Sequence, residues 1–406
     1  MVKLAILGFG TVGTGVAEVL SQNAQTINAH AADTIELKYI LDIRDFPESP
    51  FADKVIHDFS VIENDPEIRI VVETIGGLRV AYDYTKRALL AGKSVVTSNK
   101  ELVAERGAEL IKLAREKNVN YLFEASVGGG IPIIRPLTQC LSANDIHEIT
   151  GVLNGTTNYI LTRMQKDGVA LETALKEAQE NGYAEANPSA DIDGPDACRK
   201  ICILADLAFG HHIAPSAVTT EGISGITQPD MQYAKEAGYV IKLLGRVVRR
   251  DDGRVNILVA PHLVPMERPL AGVSGVFNGI VVIGNAIDEV MFYGRGAGKL
   301  PTASAVAADV IDAAKHLVSR KFIDWSDDAP DFVADTNDMI YRYCVRLGNC
   351  TAAQVLAVFP HAQSVTETSE YTAFITAPAS ARDVERKLDR LCADGAVQQS
   401  RIRILD

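Results

Sequence analysis

The sequence predicts an α/β protein in three parts: an N-terminal doubly wound parallel sheet, a middle α+β domain, and a C-terminal ferredoxin-like βαββαβ domain. Three observations carry this. Short apolar runs alternate with helical patterns up to about residue 130, the order that builds a parallel sheet. Between residues 131 and 150 that rhythm breaks, and strands and helices then follow in a different order. The final stretch reads strand, helix, strand, strand, helix, strand. A chain of 406 residues is also longer than one core usually supports. The predicted divisions are residues 1–134, completed by a helix within 302–320, then 135–301, then 338–406.

Each element has its own signal. "KLAILGFG" is a strand pattern, and "TVGTGVAEVL" continues it as a helix opening on small residues. "IELKYILDI", "IRIVVETIGG", "KSVVTSNK" and "NYLFEASVGGG" read as further strands, with "YDYTKRALLAG" and "ELVAERGAELIKLAREKN" as helices between the later ones. The middle part mixes the helices "ALKEAQENGY" and "DACRKICILADLAF" with the strands "RVNILVAPHLV" and "GIVVIGNAIDEVMFYG". "TASAVAADVIDAAKHLV" is a helix of small residues suited to packing back on the first part, and the Asp- and Pro-rich "DWSDDAPDFVADTND" reads as a linker to the tail.

Composition narrows the class. An apolar fraction of 47% and a charged fraction of 23% are those of a globular protein, not a disordered one. The formal charge of −12 is spread along the chain, which argues against nucleic acid or an anionic membrane as partner. Six cysteines without CxxC pairs predict buried free thiols in a reducing compartment. With no membrane-length apolar run, a cytoplasmic protein is expected.

Gly8, Gly10 and Gly13 form G-x-G-x-x-G between the first strand and first helix, the context in which backbone approaches a pyrophosphate at a helix N-terminus. At the end of the second strand, Asp42 and Asp45 are candidates for the ribose hydroxyls of NAD, while Arg44 suits the 2′-phosphate of NADP or is simply a solvated strand end. The residues leave that choice open, with a slight lean to NADP. "TSNK" puts Lys100 at the carboxyl edge of the sheet, where ligands bind, although a lone lysine there is commonly a surface group. Glu124 in "FEASVGGGIP" precedes three glycines, and carboxylate plus exposed carbonyls suit a hard cation; a glycine hinge is the plain alternative.

"DIDGPDACRK" concentrates charge at a helix start. Gly194 and Pro195 signal the turn, Asp196 falls in the first helical turn, and Lys200 shares its face and begins the apolar stripe Ile203, Leu204, Leu207. A helix-end salt bridge explains that pair alone. It does not explain the further acids Asp191, Asp193 and Glu185, a crowd fitted to a small, cationic, hydroxyl-bearing substrate. Asn154, Thr156, Thr157 and Asn158 either orient a polar ligand or form a local turn. "GRGAGKLPTASAV" offers a second Gly-rich turn into a helix. His211 and His212 follow Gly210 and read as a cap.

These motifs together resemble homoserine dehydrogenase. GFGTVG, VVETIGG, VVTSNK, FEASVGGGIPII, NGTTNYIL, GYAEANPSADIDGPDACRK, EGI and FYGRGAGKLPTASAV occur in that family's order and spacing from residue 4 to about 315. The resemblance implies a Rossmann domain, a catalytic and dimerisation domain, and interconversion of L-homoserine and L-aspartate 4-semialdehyde with NADP or NAD. It implies Lys100 and Lys200 as the catalytic pair and Glu185 and Asp196 at the substrate, to which the reading of the residues adds Asp191 and Thr156. Phe9, Thr11, Val12, Gly76, Lys100, Gly182 and Gly298 join Gly8, Gly10, Gly13 and Arg44 at the cofactor. Glu124, Val127, Gly129 and Ile131 match a site for a monovalent cation such as sodium.

The tail resembles the ACT-type regulatory domain, which implies threonine as an effector, and the family implies a homodimer or homotetramer. Asn187 and Ser98 depart from the usual Asp and Ala, and "ILDIRD" is one residue longer than the common version. The rival reading is a non-catalytic regulator of the same fold that senses nucleotide and amino acid. A related dehydrogenase acting on another hydroxy amino acid is a third.

Overall fold

The computed structural model describes every residue except 32 and 330. The first sheet is assembled from β1 (Val2–Leu7), β2 (Ile35–Leu41), β3 (Val55–Ile56), β4 (Ile68–Glu73), β5 (Ser94–Thr97) and β6 (Tyr121–Leu122). Its order is β3-β2-β1-β4-β5-β6, with every pair parallel. Leu4, Ile6, Ile70, Val72 and Val96 are buried without exposure, as expected when helices cover both faces. The helices are α1 (Thr11–Gln22), α2 (Ala24–Ala31), α3 (Phe59–Asn64), α4 (Arg79–Leu90) and α5 (Lys100–Glu116). Strand order reverses between β1 and β4, so the loops leaving β1, β4 and β5 surround the crevice where such sheets bind ligands.

"NYLFEASVGGG" departs from the strand expected of it. Only Tyr121–Leu122 pairs, because Glu124–Ser126 turn into a 3-10 helix and Gly128 and Gly129 adopt left-handed backbone at φ 75° and 56°.

The middle part contains β7 (Ile146–Val152), α6 (Gly155–Asp167), α7 (Leu171–Glu180), α8 (Ser189–Ile192), α9 (Pro195–Phe209), β8 (Thr219–Thr220), α10 (Gln228–Glu236), β9 (Tyr239–Arg249), β10 (Val255–Pro265), β11 (Phe277–Gly284) and β12 (Asp288–Arg295). Its strands pair antiparallel in the order β12-β11-β7-β9-β10. The small-residue helix α11 (Lys299–Lys315) then returns to the first sheet and lies against α1, β4 and β5. The approach is close. A Cβ on Gly15 of α1 would stand 2.9 Å from the Lys299 carbonyl oxygen.

The tail holds β13 (Ile340–Tyr341), β14 (Tyr343–Gly348), α12 (Ala352–Val358), β15 (Gln363–Glu367), β16 (Thr372–Ile375), β17 (Ala379–Ser380), α13 (Ala381–Ala393) and β18 (Val397–Ile404). β13 and β17 form a separate two-stranded pair. The order β18-β14-β16-β15, all antiparallel, is the one in which a βαββαβ unit folds. The sequence sets this unit behind a linker, but in the structure its edge strand β18 pairs parallel with β10, His262 opposite Arg403 and Leu263 opposite Ile404. One sheet therefore runs from the middle part into the tail. Buried Arg346 seals the seam on Asp230 at 3.0 Å, and Arg403 meets Glu221 at 2.8 Å.

The thiols also differ from expectation. Cys198, Cys202 and Cys344 are buried, whereas Cys140 and Cys392 lie on outer faces of their segments and are exposed. Among the described residues no helix is long and apolar enough to cross a membrane.

Candidate active site

Two helices bring the expected lysines together. Asn99 opens α5 by accepting the Leu102 amide proton on its side-chain oxygen at 3.1 Å, so Lys100 projects from the first helical turn. At the start of α9, Gly194 takes a left-handed φ of 96° and Pro195 fixes the next residue, which places Asp196 in the first turn and Lys200 one turn on. Arg199 and Glu101, neighbours of the two lysines, join the helices by a 3.1 Å bond.

Asp196 is the centre of the site. Its buried carboxylate contacts the Lys100 ammonium on Oδ1 and receives Lys200 Nζ on Oδ2 at 2.7 Å. Lys200 Nζ also donates to the Leu153 carbonyl at 2.8 Å. The Asn154 side chain caps α6 through the Thr157 amide at 2.8 Å, and its NH2 reaches Asp196 at 2.8 Å and Asp191 at 2.6 Å. Asn154 thus does both things the sequence left open, turn and site.

The two lysines are not equally dry. The Lys200 side chain is 9% exposed and that of Lys100 43%, because Lys100 starts its helix at the mouth of the cleft. Burial works against the Lys100 ammonium, yet attraction to Asp196 outweighs it and holds its pKa above the ordinary lysine value. For Lys200, burial dominates and, with the nearby Lys100 charge, pulls the pKa down against the pull of Asp196. Burial raises the Asp196 carboxyl less than the two ammonium groups lower it.

These groups line a cleft of about 560 Å³ together with Thr156, Gly182, Glu185, Asp191, Arg295 and Gly298. Glu185 is exposed at its rim and Asp191 half-buried. The Thr156 hydroxyl is engaged, donating to the Tyr183 carbonyl at 2.6 Å and fixing the loop that carries Gly182. Gly182 and Gly298, both lining the cleft, have left-handed φ of 72° and 127°.

The Gly-rich loop after β1 is shaped for close approach. A Cβ on Gly13 would fall 2.0 Å from the Gly8 carbonyl oxygen, and one on Gly8 3.0 Å from Ile75, while nothing lies within 4 Å of the Cβ position of Gly10. No side chain caps α1, which leaves the amides around Thr11 and Val12 for an anion. Phe9 donates its N–H to Asp42 at 2.7 Å, and Arg44 grips the same carboxylate with Nε and Nη2 at 3.0 and 3.1 Å. Arg44 pulls the Asp42 carboxyl down to about 2, against burial.

The Glu124 carboxylate corrects the reading of a carboxylate ligand. It is consumed by the backbone amides of Ile133, Ile134 and Arg135 at 2.7 to 2.9 Å. Among the described residues, the carbonyl oxygens of Val127, Gly129 and Ile131 accept no hydrogen bond, so carbonyls and not the carboxylate are left for a cation.

The family described as homoserine dehydrogenase matches residues 132–311, and its NAD-binding domain matches residues 8–124. The chain belongs to the homoserine dehydrogenase family. A homoserine dehydrogenase from Synechocystis sp. is 44% identical over 324 residues, 78% of this chain and 74% of that one. A solved homoserine dehydrogenase from Thiobacillus denitrificans superposes with a TM-score of 0.92 at 35% identity, covering 100% of this chain and 98% of that one. A hyperthermophilic archaeal homoserine dehydrogenase in complex with NADPH gives a TM-score of 0.65 at 30% identity over 77% of this chain and 97% of that one. The chain is accordingly an oxidoreductase with a nicotinamide-cofactor domain, interconverting L-homoserine and L-aspartate 4-semialdehyde. The non-catalytic regulator is not favoured.

Glu73 is the residue that pattern reading missed, because a single acid ending an apolar strand carries no periodic signal.

Proposed function

We propose that Lys200 takes the hydroxyl proton of L-homoserine while Lys100 holds the oxygen, both organised by Asp196. The placement of the two amines on one buried carboxylate, Lys200 beneath and Lys100 at the mouth of the cleft, carries this reading, and the opposite directions of their pKa shifts agree with it. A neutral amine has two N–H bonds and one lone pair. Lys200 has two acceptors, Leu153 O and Asp196, which leaves the lone pair for the cleft. Lys100, kept charged and facing the cleft, stabilises the oxyanion. Glu185 and Asp191 supply negative charge for the substrate ammonium, and Thr156 shapes the wall beside them.

When bound, the nicotinamide supplies the hydride chemistry. The loop Gly8, Phe9, Gly10, Thr11, Val12, Gly13 would hold its pyrophosphate, with Gly76, Lys100, Gly182 and Gly298 along its course. NADP is the favoured form: Arg44, 58% exposed, stands where a 2′-phosphate arrives and already neutralises Asp42, and the archaeal relative binds NADPH. The free carbonyls of Val127, Gly129 and Ile131 support a monovalent cation such as sodium at this loop, with Glu124 proposed beside them. The proposed division is residues 1–134 with 302–320, 135–301 and 338–406; the first has its own parallel sheet, while the other two share one sheet through β10 and β18. The tail would be an ACT-like domain for a threonine effector, and the assembly a homodimer or homotetramer.

Initial rates with L-homoserine and either cofactor, followed by absorbance of the reduced nicotinamide, test the reading. Turnover favouring NADP+ is expected. Turnover of another hydroxy amino acid in place of L-homoserine would overturn it.

A further inference from the structure

Glu73 ends β4 with no exposure, and among the described residues no cation lies within ion-pair distance of it. Burying an unpaired carboxylate is costly, so its neighbours matter. All of them donate: the amides of Ile75 at 2.7 Å and Gly76 at 3.4 Å to Oε1, and the Thr97 hydroxyl at 2.5 Å to Oε2. Thr97 Oγ1 accepts in turn from the Asn99 amide at 2.9 Å. Asn99 closes the circuit, its NH2 donating to the Gly77 carbonyl at 2.6 Å while its oxygen caps α5. One buried carboxylate thus ties the loop after β4 to the loop after β5, and the next residue after Asn99 is Lys100.

We propose that Glu73 is a positioning residue for the reaction, fixing Lys100 against the Gly76 loop through Thr97 and Asn99. This rests on the reading of Lys100 as a group that touches substrate. Glu73 fixes where the ammonium stands before any ligand arrives, and small displacements of such groups weigh heavily on rate. Burial raises the Glu73 carboxyl, against the hydrogen bonds that favour its ionised form.

The test is a double-mutant cycle on the full chain. Glu73→Gln keeps an acceptor for Ile75 and Gly76 but offers Thr97 an NH2 that cannot accept its proton. A kcat about tenfold lower, with KM for L-homoserine within about twofold, is expected. Thr97→Val should cost at least as much, the double variant no more than about twofold beyond it, and Thr97→Ser should stay within about twofold of the parent. If Thr97→Val does not fold, Thr97→Ala, which also removes the hydroxyl, takes its place in the cycle. A Glu73→Gln enzyme with parental kcat and a lowered Tm, or single effects that multiply in the double variant, would overturn the inference. Lys100→Ala serves as control: if it retains turnover, the reading of the site fails whatever Glu73→Gln does.

Discussion

Lys100 and Lys200 stand on opposite oxygens of the Asp196 carboxylate, one at the mouth of the cleft and one beneath it. The shared anion makes their protonation interdependent. It holds Lys100 charged while burial and the neighbouring ammonium ease Lys200 toward its neutral form.

Removing the anion therefore has a predictable sign. In Asp196→Asn, Lys200 loses the attraction that opposes burial, so its pKa falls further. The rising limb of kcat for L-homoserine oxidation should move to lower pH, with maximal turnover down about 100-fold or more. A pH–rate profile checks this, and an unmoved limb would separate Lys200 from the observed ionisation.

The proposed preference for NADP rests on Arg44. Replacing it with serine removes the guanidinium offered to a 2′-phosphate and returns the Asp42 carboxylate to a ribose hydroxyl. The ratio of kcat/KM for NADP+ over NAD+ should fall about tenfold or more. Initial rates with both cofactors measure it; an unchanged ratio would place 2′-phosphate recognition elsewhere.

The sheet seam predicts acid lability. His262 on β10 is fully buried, donates its Nδ1–H to the Ala260 carbonyl at 2.9 Å, and is pushed down to about 3, first by burial and then by Arg403 and Arg246. A histidine depressed in the folded state stabilises fully above its unfolded pKa near 6.5 and loses that contribution as pH falls toward 3. The loss is on the order of a few kcal/mol. Tm should fall across that window, and less steeply in His262→Gln; equal slopes would assign the acid limb to other groups.

Local chemistry made much of this legible. G-x-G-x-x-G after an apolar strand, Gly-Pro before Asp196, and Lys200 heading an apolar stripe each act through neighbours in sequence, and each stands where those rules put it. The sharing of Asp196 by Lys100 was not legible, because α5 and α9 meet only through tertiary packing. The same holds for β18 against β10, a pairing set by sheet edges and not by any local pattern. Glu124 misled because its carboxylate suggested a ligand, whereas the chain folds back to cap it with three amides. The exposure of Lys100 follows from its place at a helix start, which the sequence showed but burial of its partner Asp196 did not.

The most direct measurement is turnover of Lys200→Ala with L-homoserine, set beside its affinity for NADP+ in a binding titration. Turnover reduced about 100- to 10,000-fold with cofactor affinity within about threefold of the parent is the predicted result. Parental turnover in that variant would remove Lys200 from the chemistry and contradict the account of the site.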